Sequence, residues 1–308
     1  MKFQWLFYPF TLLPNFKGKV RILKILYRIL DNNIKHDAVF EVKLKRPVPY
    51  YAKLNMHCAH ELMCFMANGY EADTVAFLDK LYDSKGYFLD VGANIGLISI
   101  PFTIMQQKKY TYSGNHSIYC FEAVTSNYIA LKHNIALNKL ANEIEVFCVG
   151  LGDVEKDVEI YVEGNLKDGE GTGTANIMAA HSDYKCERIN LHINTLDNMV
   201  ADGHIPIDCS LMKLDTDGYD LFILKGAETL LRTSRPIILG EFMEYCLNWH
   251  NQSVKDVIEY MDELDYRVYF KKQKEWIFFE HIDIESFVCD LLLIPKEKVS
   301  LYEWCLAP

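Results

Sequence analysis

From residue 87 onward, short apolar segments alternate with longer segments of helical periodicity. Strands are predicted at 87–91, 117–121, 144–149, 209–214 and 236–239. Helices are predicted at 95–106, 126–138, 220–232 and 254–264. Because strands that alternate with helices form βαβ units, this order predicts an α/β fold, with a mostly parallel sheet and helices on both faces.

The pattern changes in two places. Residues 158–162 and 189–193 alternate like antiparallel strands, and a polar, glycine-rich loop is predicted between them at 164–174. Residues 266–270 and 287–294 look like a strand pair that closes the sheet, with an antiparallel C-terminal strand. We therefore expect a smaller β element beside the main sheet.

The N-terminal part has a different pattern, and we divide the chain into an extension at 1–68 and a catalytic domain at 69–308. Strands are predicted within 40–53, and helical structure is predicted at 58–82, in two runs at 60–66 and 71–81. Residues 1–30 hold six Lys or Arg and no acid. Because the net charge of the whole chain is −10, the remaining residues carry −16. Arg21, Lys24 and Arg28 lie at helical spacing. Two interpretations stay open: a basic amphipathic helix on anionic lipid or a partner, or a helix packed on the domain.

Composition narrows the class of protein. The 308 residues are 50% hydrophobic, enough for one large core. A net charge of −10 argues against a nucleic-acid partner. The nine cysteines have no CxxC spacing and an odd count, as expected of buried thiols in a reducing cytoplasm. The apolar run at 5–14 is too short for a bilayer and is followed by no signal-peptide cleavage pattern.

One stretch, residues 88–100, passes from an apolar strand through a glycine turn into a helix. The turn is Gly92-Ala93-Asn94-Ile95-Gly96, a place where backbone can approach a nucleotide-like ligand closely. Asp90 precedes it, and a carboxylate there would repel a pyrophosphate. Asp90 instead suits a cationic ligand such as S-adenosylmethionine, with Asn94 orienting the turn or the methionine end.

Acids also follow the later strands. Glu122 ends the second strand, where a carboxylate can accept both hydroxyls of a ribose. Asp215 and Asp217 follow the strand at 209–214, and Glu241 follows the next strand. Each could act as a general base or hold an acceptor by hydrogen bonds, with Asp215 the first candidate. Asp217 could instead cap the following helix together with Asp220.

The tracts DVGANIG, CFEAV, LDTDGYDLFILKGA and IILGEF resemble the FkbM family of S-adenosylmethionine-dependent methyltransferases, over about residues 69–295. The resemblance implies the Rossmann-like class I methyltransferase fold with a seven-stranded sheet. It also implies that the adenine lies near Asp153 and that a hydroxyl of a sugar, polyketide or other secondary metabolite is methylated. The family usually has D-x-E-G where this chain has D-x-D-G. It also has the lysines at Lys213 and Lys225, to which we assign no catalytic role.

With the basic N-terminus, a sugar hydroxyl of a lipid-linked or cell-surface glycan precursor is the favoured acceptor. Two other classes of protein remain: an NAD-dependent oxidoreductase on a similar sheet, and a non-catalytic scaffold. Asp90 and the missing G-x-G-x-x-G argue against the first, and the retained acids argue against the second. Asp197, Asp215, Asp217 and Glu241 could bind Mg²⁺, but their spacing does not establish a site, and we predict no metal.

Overall fold

The computed structural model describes residues 39–56, 58–109, 117–163, 175–176, 186–272, 275–279 and 288–306, and also Ile22 and Ile25. The two single residues are helical and exposed. The other residues of the basic segment 1–30 and the whole predicted loop 164–174 lie outside the described residues.

The main sheet is built from eight strands. They are β3 (Tyr87–Val91), β4 (Ile118–Phe121), β5 (Ile144–Phe147), β10 (Cys209–Leu214), β11 (Ile237–Met243), β12 (Tyr266–Lys272), β13 (Glu275–Phe278) and β14 (Val288–Pro295). Their order is β13-β12-β14-β11-β10-β3-β4-β5. The five strands from β11 to β5 are parallel, and β14 is antiparallel to both of its neighbours. The predicted fold class is confirmed, with β13 as one strand more than the seven expected.

The chain changes direction at the centre of this sheet. From β3 it continues outward to β4 and β5, and it then returns to place β10 on the other side of β3. Such a switch point opens a crevice beyond the carboxyl ends of the two central strands, where ligands of α/β proteins bind. All five residues of β3 are buried, as expected of a strand covered on both faces.

Helices lie along the sheet. In chain order they are α1 (Ala59–Ala67), α2 (Ala72–Leu81), α3 (Ser99–Lys109), α4 (Thr125–Leu137), α5 (Leu196–Ala201), α6 (Asp220–Lys225), α7 (Glu228–Ser234), α8 (Glu244–Asn248) and α9 (Val254–Glu263). Two large clusters of buried apolar side chains form the core. No helix within the described ranges combines the length and the apolar character that a bilayer crossing requires.

A second sheet lies beside the main one, as the change of pattern predicted. Its strands are β6 (Gly150–Leu151), β7 (Lys156–Glu163), β8 (Ala175–Asn176) and β9 (Cys186–Asn194), in the order β6-β9-β7-β8. β7 pairs with β9 in antiparallel register over eight residue pairs.

The described part of the predicted extension packs on the catalytic domain. β1 (Val39–Leu44) and β2 (Tyr50–Asn55) form an antiparallel hairpin. Asn134 and Asn138 of α4 accept the backbone N–H groups of Lys53 and Tyr51 at 2.7 and 2.8 Å. Apolar side chains of β1, β2 and α1 belong to the same core cluster as those of β3 and α3. The division at 68/69 stays a prediction, but residues 39–67 share the domain's core.

Two predicted helices are wrong in their extent. The helix predicted from residue 95 begins at Ser99, because the turn before it holds residues of positive φ. The two helical runs predicted within 58–82 are α1 and α2, and the break between them falls at Asn68, whose carbonyl accepts the N–H of Arg46 at 2.9 Å. The helix predicted at 220–232 breaks at Gly226, whose carbonyl accepts the N–H of Asp197 at 3.0 Å. In the last two breaks a distant segment takes a backbone partner that a continuous helix would use.

Candidate active site

A cavity of about 450 Å³ lies at the carboxyl ends of β3, β10 and β11, at the switch point of the main sheet. Pockets for small-molecule ligands are roughly 300–1,000 Å³. The turn after β3, the end of β4, the β5–β6 connection and the loop after β10 form most of the wall. Cys58, His60 and Glu61, at the start of α1, complete it.

The glycine turn forms the floor of the cavity. Gly92, Ala93 and Asn94 line it, whereas Gly96 lies behind, where a Cβ would meet Leu131 at 2.6 Å. At Gly92, φ is +80° and a Cβ would be 1.9 Å from the carbonyl oxygen of Asp215. The backbone after β3 therefore touches the backbone after β10, and only glycine fits between them.

Asp90 is the buried acid of the turn. It has no exposed surface, and its Oδ2 accepts a hydrogen bond from the Ser99 hydroxyl. Asp90 lines the cavity, and its Oδ1 has no hydrogen-bond partner among the described residues. Burial raises the pKa of Asp90, while Lys213 and Ser99 oppose that rise. A buried acceptor without a donor is a place where a ligand can supply one.

Glu122 holds the turn from the neighbouring strand. Its Oε2 accepts the N–H of Asn94 at 2.9 Å, and its Oε1 accepts the N–H of Val124 at 2.8 Å. Burial raises the pKa of Glu122 to about 7, although these hydrogen bonds lower it. Oε1 also accepts a longer hydrogen bond of 3.4 Å from the Asn127 amide, whereas Oε2 has room for a second donor, so Glu122 can still accept a hydroxyl from the cavity.

Asp153 is placed differently from the other predicted cofactor residues. Its Oδ1 lies 3.7 Å from the Nζ of Lys156, and it is not among the residues that line the cavity. Gly150 and Leu151 line the cavity instead. The structure therefore does not bring Asp153 to the site, and its contact with adenine stays a prediction.

All three predicted catalytic acids line the cavity, but only Asp215 has a counter-ion among the described residues. Its Oδ2 lies 2.7 Å from the Nζ of Lys213. Asp217 and Glu241 have no hydrogen bond or ion pair with any described residue. Burial first, and then the charge of Asp215, raise the pKa of each to about 7. Each can therefore exist as base or acid near neutral pH, which suits proton transfer.

Asp217 does not cap the following helix, and Asp220 at the start of that helix binds the preceding loop instead. Asp220 is fully buried, and its Oδ1 accepts the hydroxyl and the N–H of Thr216 at 2.7 and 3.2 Å. Its Oδ2 accepts the N–H of Gly218 at 3.1 Å. Asp217 itself has φ of +50°, and its side chain is left for the cavity. Asp220 thus fixes the loop, and Asp217 is free to contact a ligand.

Lys213 is the residue that sequence reasoning passed over. It is one of the site's most buried charges, with 6% exposure, and it lines the cavity beside Asp215. A lysine in an otherwise apolar strand, two residues before an acid, was the available signal. Tyr70, which stands between Gly69 and Glu71, was also missed as a site residue; it lines the cavity near Asp215 and Glu241.

The four acids considered as Mg²⁺ ligands do not all lie at one site. Asp197 lies away from the cavity and accepts the N–H groups of Thr229 and Leu230 at 2.8 and 3.0 Å, at the start of α7. Across the part of the chain that the structure describes, no group of three or more His, Cys, Asp or Glu could hold a metal ion.

One family model matches this sequence, and several solved structures are similar to this chain. The sequence model of the methyltransferase FkbM domain matches residues 64–268. Methyltransferase FkbM from Methylobacillus flagellatus KT is 16% identical, with a TM-score of 0.43, and the match covers 70% of this chain but only 47% of that one.

Two further solved structures are similar. The precorrin-6y C5,15-methyltransferase of Geobacter metallireducens GS-15 is 12% identical with a TM-score of 0.39, covering 72% of this chain and 86% of that one. The ribosomal protein L11 methylase of Lactobacillus delbrueckii subsp. bulgaricus is 11% identical with a TM-score of 0.36, covering 72% and 77%. No curated protein sequence matches. Because the FkbM domain matches two thirds of the sequence, the chain belongs to the FkbM methyltransferase family.

Proposed function

We propose that this protein transfers a methyl group from S-adenosylmethionine to an oxygen nucleophile, a hydroxyl of a sugar in a glycan, glycolipid or secondary metabolite. The observation that carries the proposal is the position of Asp217 and Glu241. Both are acids with a pKa of about 7 and no partner among the described residues, and both face the cavity that the glycine turn borders.

The residues present fit the cofactor. The unpartnered Oδ1 of Asp90 is an acceptor for an ammonium group, and Glu122 keeps lone pairs for ribose hydroxyls. The positive φ of Gly92 lets the backbone lie close to a ligand. Gly150 and Leu151 are placed to border an adenine ring, the role that Asp153 was expected to share.

The protein's own groups then have separate tasks. When bound, S-adenosylmethionine would supply an electrophilic methyl group to the acceptor oxygen and would leave as S-adenosylhomocysteine as its S–CH₃ bond breaks. The protein holds the acceptor hydroxyl in line with the methyl carbon, and the proton of the hydroxyl passes to a carboxylate. Glu241 and Asp217 are better placed for this than Asp215, because the Lys213 ammonium already occupies an oxygen of Asp215.

The test has two stages. Isothermal titration calorimetry with S-adenosylhomocysteine, against NAD as the competing ligand, examines the cofactor. We expect binding of the first and none of the second. A panel of sugars, glycolipids and polyhydroxylated metabolites with methyl-labelled cofactor then identifies the acceptor. Tight NAD binding without S-adenosylhomocysteine binding would favour the oxidoreductase, and cofactor binding with no transfer to any acceptor class would favour the scaffold.

Residues 1–30 carry a second part of the proposal, a peripheral contact with the cytoplasmic face of a membrane. The support is their charge: six basic residues and no acid, with aromatic residues near the start. Each basic residue near an anionic surface contributes about 1 kcal/mol. The full chain should sediment with vesicles of anionic lipid, and a variant lacking residues 1–30 should not. An insoluble truncated protein, and no sedimentation of the full chain, would assign this segment to the folded domain.

A further inference from the structure

Lys213 lies in the cavity between the residues proposed to hold the cofactor and those proposed to hold the acceptor. It is on β10, and its side chain is 8% exposed, with Nζ 2.7 Å from the Oδ2 of Asp215. The pairing of β10 with β3 places Lys213 directly opposite Asp90. Because side chains alternate between the faces of a sheet, Asp90, Lys213 and Asp215 all lie on the same face. The Lys213 ammonium therefore lies between Asp90, which precedes the glycine turn, and Asp215, which follows β10.

The charges of these groups depend on one another. A lone ammonium at this depth is costly, and so is each buried carboxylate without a cation. Burial alone would lower the pKa of Lys213, but Asp215 and Asp90 outweigh it, so the pKa is raised and the lysine stays charged. Lys213 in turn opposes the effect of burial on Asp90.

Glu241 extends this arrangement across the next strand. Leu214 pairs with Gly240, so the following positions of the two strands, Asp215 and Glu241, are neighbours on the face that holds Lys213. The ion pair with Lys213 takes one oxygen of Asp215 and leaves Glu241 without a counter-ion among the described residues. Lys213 therefore makes Asp215 different from Glu241: Asp215 has a counter-ion and Glu241 has none among the described residues.

We propose that Lys213 is a positioning residue of this site: its ammonium fixes the carboxylate of Asp215 and offsets the charge of Asp90, so that the cofactor and acceptor sides are held around one cation. The inference rests on the proposed function for what the cavity binds. Lys213 touches no reacting atom in this role. Its loss misplaces Asp215 and leaves the buried Asp90 and the partly exposed Asp215 without a counter-ion.

The test uses the full chain and a double-mutant cycle. The variants are Lys213→Met, which keeps the length and removes the charge, Asp215→Asn, and the two combined. Lys225→Met is the matched control, because Lys225 is the other lysine shared with the family and is exposed on α6. Melting temperature, affinity for S-adenosylhomocysteine, and kcat and KM with the acceptor that the labelled-cofactor panel identifies are measured for each.

We expect Lys213→Met to lower the melting temperature by about 5 °C or more and the affinity for S-adenosylhomocysteine by about tenfold. Adding Asp215→Asn should recover much of the melting temperature, because the substituted side chain at position 213 then faces a neutral amide instead of an unpaired carboxylate. The kcat should fall by about 100-fold in Lys213→Met while the acceptor KM changes less than about threefold, the pattern of a misplaced group. Lys225→Met should match the wild type in every measurement.

Two results would overturn the proposal. One is simple addition of the two melting-temperature changes in the cycle, which would mean that Lys213 and Asp215 do not act on each other. The other is a kcat of Lys213→Met within about twofold of that of Lys225→Met. If the wild type binds no S-adenosylhomocysteine, the proposed function fails, and the melting-temperature cycle still decides whether Lys213 holds Asp215.

Discussion

Replacement of Glu122 by glutamine examines the cofactor side of the site most directly. The carboxylate accepts two backbone N–H groups, from Asn94 at 2.9 Å and from Val124 at 2.8 Å. Glutamine has the same shape, but its NH₂ group must face one of those donors. A hydrogen bond to a charged group contributes about 1.5–3 kcal/mol, so the affinity for S-adenosylhomocysteine should fall by roughly 10- to 150-fold.

The same substitution should change the pH dependence of binding. Burial raises the pKa of Glu122 to about 7, above its ordinary value of 4.5. Ribose hydroxyls donate to the ionised form, so binding should be full above pH 7 and should weaken as the pH falls through it. With the proton competing in this way, the affinity at about pH 5.5 should be roughly 30-fold below its plateau. Glutamine cannot ionise, so this transition should be missing in the variant.

Calorimetry with S-adenosylhomocysteine between about pH 5.5 and 8.5 measures both effects. This ligand has no sulfonium charge, so the titration of Asp217 and Glu241 should influence it less than it would influence the methyl donor. Glu228→Gln is the control, since Glu228 makes only an exposed ion pair with Arg232. An affinity of Glu122→Gln within about twofold of the wild type, with the same pH profile, would refute the assignment of Glu122 to the cofactor.

Other substitutions separate the remaining roles. Gly92→Ala should abolish S-adenosylhomocysteine binding in a thermal-shift assay, because its Cβ would lie 1.9 Å from a backbone oxygen at φ of +80°; normal binding would disprove the close contact. Asp217→Asn and Glu241→Gln should each be compared with the wild type in the pH profile of methyl transfer. The variant of whichever residue is the base should lose at least about 100-fold in kcat and should lose the fall in rate below about pH 7. If both variants keep that fall, neither residue is the base. Asp197→Ala should lower the free energy of unfolding in urea by about 1–2 kcal/mol through loss of the α7 cap, and a lowered cofactor affinity would contradict its placement outside the site.

The sequence by itself determined the class of fold and the edge of the sheet where the site lies. Alternation of apolar strands and helices is a local property, and it gave the parallel strands in their order along the chain. Asp90, Glu122, Asp215 and Glu241 were found because each stands at or near the carboxyl end of such a strand. Once the strands are parallel, those ends must meet at one edge.

Local pattern does not show two long-range features of the fold. The extension looked separate because its first thirty residues differ in charge, yet the apolar positions of β1, β2 and α1 complete the core under α3 and α4. The helix predicted at 220–232 has unbroken periodicity, but Gly226 gives its carbonyl to the N–H of Asp197. Neither contact leaves a trace in nearby residues, because the partners are distant in sequence.

Only the tertiary structure shows which role each acid has. Sequence spacing made Asp215 the first candidate base and Asp217 a helix cap. In the folded chain, Lys213 pairs with Asp215, and it is Asp220, not Asp217, that accepts the N–H of Gly218 and fixes the loop. Asp217 and Glu241 are thereby left without a partner among the described residues, with pKa values raised to about 7. These differences come from burial and from the register of β3, β10 and β11, since the charge of a carboxylate depends on which groups the fold places within a few ångströms of it.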